Sequence, residues 1–135
     1  MKEYLIDTHI LIWAILEDPK LSQKVETILK NPENIIYVPQ VCLYEIAIKQ
    51  KLNKLPDFDI AINELVEKIG LIDFQIMPIK NEHINAYNLI NLVEDHRDPF
   101  DRLIIATAFN EKIPIISADE KFKNYQSQIQ LIDNQ

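Results

Sequence analysis

Cys42 is the only cysteine, so the chain cannot close an internal disulfide, and a reducing cytoplasm is the expected compartment. Set within an apolar helical pattern, this lone thiol reads as a small core residue. Long apolar runs are missing too. The longest, residues 10–16, is far too short to cross a bilayer, so no membrane association is expected. No signal peptide is expected either, because Asp7 and His9 interrupt the amino-terminal apolar stretch and no small-residue cleavage site follows. There is no internal repeat, low-complexity tract or long linker, and the 135 residues are expected to fold as one domain, 1–135. Glycine is reduced to Gly70, which is expected to close a helix as its C-cap. Basic residues fall short of acidic ones, 14 against 21, leaving a net charge of −7. That argues against sequence-independent binding of nucleic acid through a basic surface. Four carboxylates gathered around a metal would leave only about −3 outside the site.

What is present alternates between strand and helix. Residues 4–6 read as a buried strand ending at Asp7, and residues 8–16 as a helix broken by Asp18-Pro19. Leu21, Val25, Ile28 and Leu29 mark a second helix, and residues 35–38 a strand. A helix over residues 40–52 is expected to face inward with Val41, Tyr44, Ile48 and Leu52. Asp59 is expected to cap a helix burying Ile62, Leu65, Val66 and Ile69, followed by a strand over residues 73–79. Another helix starts at Asn81 and turns Ile84, Tyr87 and Ile90 inward. Residues 113–116 are the clearest strand, followed by a short helical turn after Asp119 and a weak final strand at 129–132. Such alternation predicts an α/β fold, a parallel sheet with helices on both faces, in which ligands bind beyond the carboxyl ends of the strands.

The stretch RDPFDRLIIATA, residues 97–108, organises the rest. Asp98 is a good N-cap and Pro99 suits the first helical position, where its missing N–H costs nothing. Phe100, Leu103, Ile104, Thr107 and Ala108 form a core-facing stripe behind them, so Asp101 lies on a buried surface. Asp7 and Asp119 each follow a strand and fall at the functional rim. Glu45 lies on the apolar face of its helix. Each acid also has a structural reading. Asp7 can cap a helix, Glu45 can pair with Lys49 at i, i+4, Asp98 and Asp101 can complement a helix dipole, and Asp119 can hold a turn. Together they weigh differently, because buried carboxylates need cations and lysine and arginine look scarce on those helical faces. Acids converging without a His or Cys cluster suit a hard divalent ion, Mg2+ or Mn2+, and phosphodiester hydrolysis is the leading chemistry.

These residues carry a resemblance. The chain resembles PIN-domain ribonucleases of the kind that serve as toxins in bacterial VapBC toxin–antitoxin pairs. YLIDTHILIW resembles the family's opening strand and first acid, and VCLYEIAIKQKLNKL its second motif, with Glu45 the second acid. HRDPFDRLIIATA is the most specific match and places the third acid at Asp101. IPIISADEKF resembles the last motif, with Asp119 after the strand and Ser117 beside it. The motifs occur in family order over nearly the whole chain. Asn53 stands in place of a usual glycine and Tyr44 where tryptophan is frequent. The resemblance implies a three-layer α/β/α PIN-like domain that forms a homodimer, binds Mg2+ (or Mn2+), cleaves RNA and is held by a cognate antitoxin protein. In it Asp7, Glu45, Asp101 and Asp119 are both the metal ligands and the catalytic residues. Asp98 stays a cap; His9, His96, Arg97 and Arg102 are weaker candidates for RNA phosphates, the structural alternatives being packing on the helix after Asp7 for His9 and neutralising neighbouring aspartates for Arg97 or Arg102. Two other classes compete: a PIN-like module that binds RNA or protein without cutting, and a phospho-accepting receiver domain. The receiver lacks an aspartate closing the third strand and gives Glu45 no role.

Overall fold

Tyr4, Leu5 and Ile6 are buried on both sides and make the central strand, β1 (Glu3–Ile6), of a five-stranded sheet. In the computed structural model, which describes residues 2–93 and 98–135, the sheet order is β3-β2-β1-β4-β5 and every pairing is parallel. Its other strands are β2 (Ile35–Pro39), β3 (Gln75–Met77), β4 (Ile115–Ser117) and β5 (Leu131–Asp133). Parallel strands need crossover connections, and helices supply them. These are α1 (Thr8–Leu16) and α2 (Gln23–Lys30), then α3 (Gln40–Lys51) and α4 (Ile62–Leu71), then α5 (Asn81–Leu89) and α6 (Pro99–Glu111). A 3-10 helix, Glu120–Tyr125, links β4 to β5 and buries Phe122 and Tyr125. The three-layer α/β/α architecture is the expected one.

The order has a consequence for function. The chain steps outward from β1 through β2 to β3, then returns to β1's other side to lay down β4 and β5. The strand order therefore reverses between β1 and β4, and in open α/β sheets ligands bind at such a reversal, beyond the carboxyl ends of the strands. Asp7 directly follows β1, and Ser117 ends β4 with Asp119 two residues on.

Helix boundaries follow the expectations closely, but several faces do not. In α3 the buried residues are Val41, Cys42, Glu45 and Ile46, whereas Tyr44 and Leu52 are 64% and 57% exposed. Packing against both α1 and α6 rotates the inward stripe by about one residue and leaves Tyr44 edge-on to Phe100 at the rim. In α5, His83 and Ala86 are buried and Ile84 is exposed. In α4, Val66 faces solvent and Ala61, not Asp59, stands at the N-cap. Gly70 is not a C-cap either. The helix runs on to Leu71, and the left-handed residue after it is Asp73, with φ of 62°. Left-handed turns at Glu17, Asn53, Asp73 and Lys112 are all made without glycine. Asparagine and aspartate tolerate that conformation through their short polar side chains, which is how Asn53 serves in place of glycine. The edge strands are shorter than expected, three residues each in β3 and β5.

Candidate metal centre at the sheet rim

Asp7 is 3% exposed, and both of its carboxylate oxygens are engaged. Oδ1 accepts from the Ile10 N–H at 3.0 Å, capping α1, and Oδ2 accepts from Ser117 Oγ at 2.5 Å. The capping role and the rim position are thus both real, and they are one arrangement. Burial pushes the Asp7 carboxyl up to about 6, opposed by these two hydrogen bonds and by His9, and assisted by Asp119. His9 itself is exposed and packs its ring against Trp13. Ser117 Oγ also accepts from the Asp119 N–H at 3.0 Å, so one hydroxyl ties the first acid to the loop carrying the fourth. Asp119 in turn caps the 3-10 helix through the Lys121 N–H.

Glu45 reaches the same region from α3 and is also 3% exposed. Its Oε1 accepts from Thr8 Oγ1 at 2.6 Å, and its Oε2 takes the Lys49 ammonium at 2.6 Å. The i, i+4 pairing with Lys49 is therefore present, and the expected scarcity of cations on this face is corrected. Lys49 is one turn further along the same helix and 31% exposed. Partial burial alone would lower its pKa. The bond to Glu45 and the charges of Asp98 and Asp101 outweigh that and hold it above the ordinary lysine value. Sequence reasoning missed Thr8 as a partner of Glu45. The signal was the hydroxyl immediately after Asp7, on the first turn of a helix whose acid faces the rim.

Asp98 caps α6 as expected, accepting from the Phe100 and Asp101 N–H groups at 2.9 and 3.1 Å. Asp101 sits on that first turn, partly buried. Burial, then the charges of Asp98, Glu45, Asp119 and Asp7, raise its carboxyl to about 8. Carboxyls that share a site cannot all ionise cheaply, and at Asp101 the like charges add to the larger effect of burial. The four acids chosen from the sequence are thus brought together near the carboxyl ends of β1 and β4, with Asp7, Glu45 and Asp119 all within electrostatic reach of Asp101. Below them, Cys42 is fully buried, and burial holds its thiol far above its ordinary range. It is the core residue that was expected. Arg102 donates to the Tyr87 hydroxyl at 3.4 Å, while His96 and Arg97 lie outside the described residues.

The donor chemistry fits a hard divalent cation: Asp7, Glu45, Asp101 and Asp119 offer carboxylate oxygens, and burial and the neighbouring acids raise Asp101. As the side chains stand, no three His, Cys, Asp or Glu among the described residues are placed to hold one metal ion. Asp7 is engaged by Ser117 and Glu45 by Lys49, so metal binding requires these side chains to exchange partners. A cavity of about 710 Å3 lies elsewhere, at the amino ends of β2 and β3 among Leu21, Leu29, Ile36 and Phe74. Among the described residues, no helix is long and apolar enough to cross a membrane.

No curated protein matches the chain. Solved structures do. The fold is similar to that of DNA-bound VapBC from Salmonella typhimurium, with a TM-score of 0.69 and 16% identity over 98% of each chain. VapBC2 from Rickettsia felis, bound to a promoter DNA fragment, gives 0.66 and 19% over 97% of this chain and 98% of that one. VapBC-5 from Mycobacterium tuberculosis gives 0.66 and 17%, over 98% and 99%. At such identities the likeness is one of fold. The sequence itself matches the PIN domain across residues 4–127, which sets aside the receiver reading, and the chain belongs to the PIN domain family.

Proposed function

We propose that this chain is a Mg2+- or Mn2+-dependent endoribonuclease that acts in the cytoplasm as the toxin of a toxin–antitoxin pair. The observation that carries the reading is the state of Asp101, raised to about 8 by burial and by Asp98, Glu45, Asp119 and Asp7. Buried carboxylates crowded together are expensive to keep as mere structure. Asp7, Glu45, Asp101 and Asp119 would hold the metal. A bound divalent ion supplies charge stabilisation for phosphoryl oxygens and lowers the pKa of water. The chain's own part is to position. Ser117 and the Ile10 N–H orient Asp7, Thr8 orients Glu45, and Asp98 fixes the turn that carries Asp101.

The toxin assignment draws on the fold's likeness to chains from VapBC complexes and on the net charge of −7. An acidic rim suits an antitoxin segment bearing a basic side chain, which would compete there with Mn2+ and with RNA. We assign a homodimer to the free toxin, and light scattering of the purified chain measures it.

One observation favours a second reading, a PIN-like module that binds without cutting: Glu45 is already neutralised by Lys49. Incubating an RNA panel with Mg2+, Mn2+ or EDTA separates the two. The nuclease cleaves with metal and stops in chelator; the binder leaves RNA intact throughout. Cleavage undiminished in chelator would sink the metal mechanism. In cells, expression of the chain alone should arrest growth, relieved by Asp101→Asn and by the product of an adjacent small gene.

A further inference from the structure

Glu45 and Lys49 stand one helical turn apart on α3, and their bond is unlike the lysine pairs at the surface. Lys30–Glu26 and Lys123–Glu120 lie on the surface, where such pairs contribute little. Glu45 is buried, with one oxygen fixed by Thr8 and the other taken by the Lys49 ammonium. The Glu45 side chain has little room to leave. Lys49 does, because its four-carbon stem is flexible and nearly a third of the side chain already meets solvent. An ammonium is also a compact point charge held at 2.6 Å, close to where a metal ligand's oxygen must be free.

We propose that Lys49 is a positioning residue of this site, the resident counter-ion that keeps Glu45 satisfied until a divalent cation displaces its ammonium from Oε2. The proposal rests on the metal-dependent reading above. It assigns two opposed effects to one side chain. In the metal-free protein, Lys49 offsets one charge of the cluster and so stabilises the fold. Toward metal it is a competitor, because only molecules whose Glu45 has released the ammonium can bind. The apparent dissociation constant is then the intrinsic one divided by the fraction that has released the ammonium. A lysine that was merely structural would stabilise the fold without weakening the metal.

Calorimetric titration with Mn2+, in the absence of RNA, tests this on wild type, Lys49→Gln and Lys49→Arg. Lys49→Gln removes the charge and should bind Mn2+ on the order of tenfold more tightly while melting lower in EDTA. Lys49→Arg keeps a cation against Glu45 and should bind no more tightly than wild type. Equal or weaker Mn2+ binding by Lys49→Gln overturns the proposal and leaves the metal site standing. Absence of Mn2+ binding to all three proteins overturns both. Should Lys49→Gln fail to fold, wild type answers alone. The side-chain 13C and 15N resonances of Lys49, assigned by their loss in Lys49→Arg, should move to those of a solvated lysine as Mg2+ saturates. Resonances that stay put while backbone amides near Asp7 report saturation overturn the exchange.

Discussion

Two clusters of ionisable side chains lie within this fold, and they are balanced in opposite ways. At the end of the α5/α6 hairpin away from the rim, His83 is 1% exposed and its ring is fully used. Nδ1 accepts from the Lys80 N–H at 3.2 Å, which puts the proton on Nε2, and Nε2 donates to Glu111 at 2.6 Å. Lys80 adds its ammonium at 3.7 Å, and the His83 bond, helped by Lys80, holds Glu111 below the usual carboxylate range. Every charge there has its partner. At the sheet rim, Lys49 pairs with Glu45, and burial and the neighbouring carboxylates push Asp101 to about 8. A cluster that satisfies itself fastens two helices together. Where burial and crowding raise a carboxyl as they raise Asp101, a divalent cation would relieve the repulsion, and that is the physical ground for reading the rim as functional and the hairpin as structural.

The comparison breaks most visibly at Asp101. Asp101→Asn keeps nearly the same shape and removes one of the repelling charges. RNA cleavage should fall by more than the roughly 10–100-fold that changes in a metal's outer shell cost. Stability in EDTA should stay level or rise, and the stabilisation that Mn2+ gives the wild type should largely vanish. The assignment is falsified if this variant melts well below wild type in chelator yet still responds fully to Mn2+.

His83→Ala should do the reverse. It strands the Glu111 carboxylate and the Lys80 N–H and leaves a hole beneath α5, costing roughly 2–3 kcal/mol of stability. Cleavage per folded molecule should be unchanged. Urea unfolding and an RNA assay on the same preparation decide it, and a loss of activity without a loss of stability would place His83 in the machinery instead.

The acids at the rim were legible because their positions follow from topology. A residue directly after a parallel strand, or on the first turn of a buried helix, must lie near the carboxyl end of the sheet. Asp7, Asp98, Asp101 and Asp119 are of this kind. Glu45 was legible through its neighbours Val41 and Ile48, even though Tyr44 and Leu52 proved to be exposed. Helical periodicity fixes the direction of a face to within about one residue, and only packing against α1 and α6 settles the rest. Lys49 was visible as a pairing but could not be weighed, since i, i+4 pairs look alike in sequence whether they lie on a surface or beside a buried acid. The His83–Glu111 bond joins residues 28 apart, and no local pattern announces it.

The two clusters also predict opposite responses to pH, a smaller effect. Asp7 at about 6 and Asp101 at about 8 hold protons that the unfolded chain releases near 3.8. Their contribution is full below that lower value and is lost as pH rises toward 8, so metal-free stability should decline from pH 4 to pH 8. Glu111, shifted down from 4.5, contributes fully above that value and loses its share only as pH falls through its lowered one. Denaturation in EDTA across this range should show the decline in wild type and much less of it in Asp101→Asn. Equal slopes in the two proteins would remove Asp101 from the account.

Asp98 provides the finest test, because it serves the helix and strains the site at once. Its carboxylate accepts from the Phe100 and Asp101 N–H groups, and its charge is the largest electrostatic influence raising the neighbouring Asp101. At pH 5 Asp101 is protonated, so Asp98 no longer repels it and serves as a cap, beside its attraction for Lys49. Asp98→Ala should then cost roughly 0.5–2 kcal/mol, the ordinary loss for a helix cap. At pH 9 Asp101 is ionised, and removing Asp98 takes away a repulsion as well as a cap. The measured loss should therefore be smaller at pH 9 than at pH 5, both in EDTA. Asp98→Asn, which keeps the capping oxygen and drops the charge, should shrink the pH dependence without the full capping loss. If Asp98→Ala costs the same at both pH values, Asp98 and Asp101 do not feel each other, and the crowding at the rim is weaker than the placement of its acids implies.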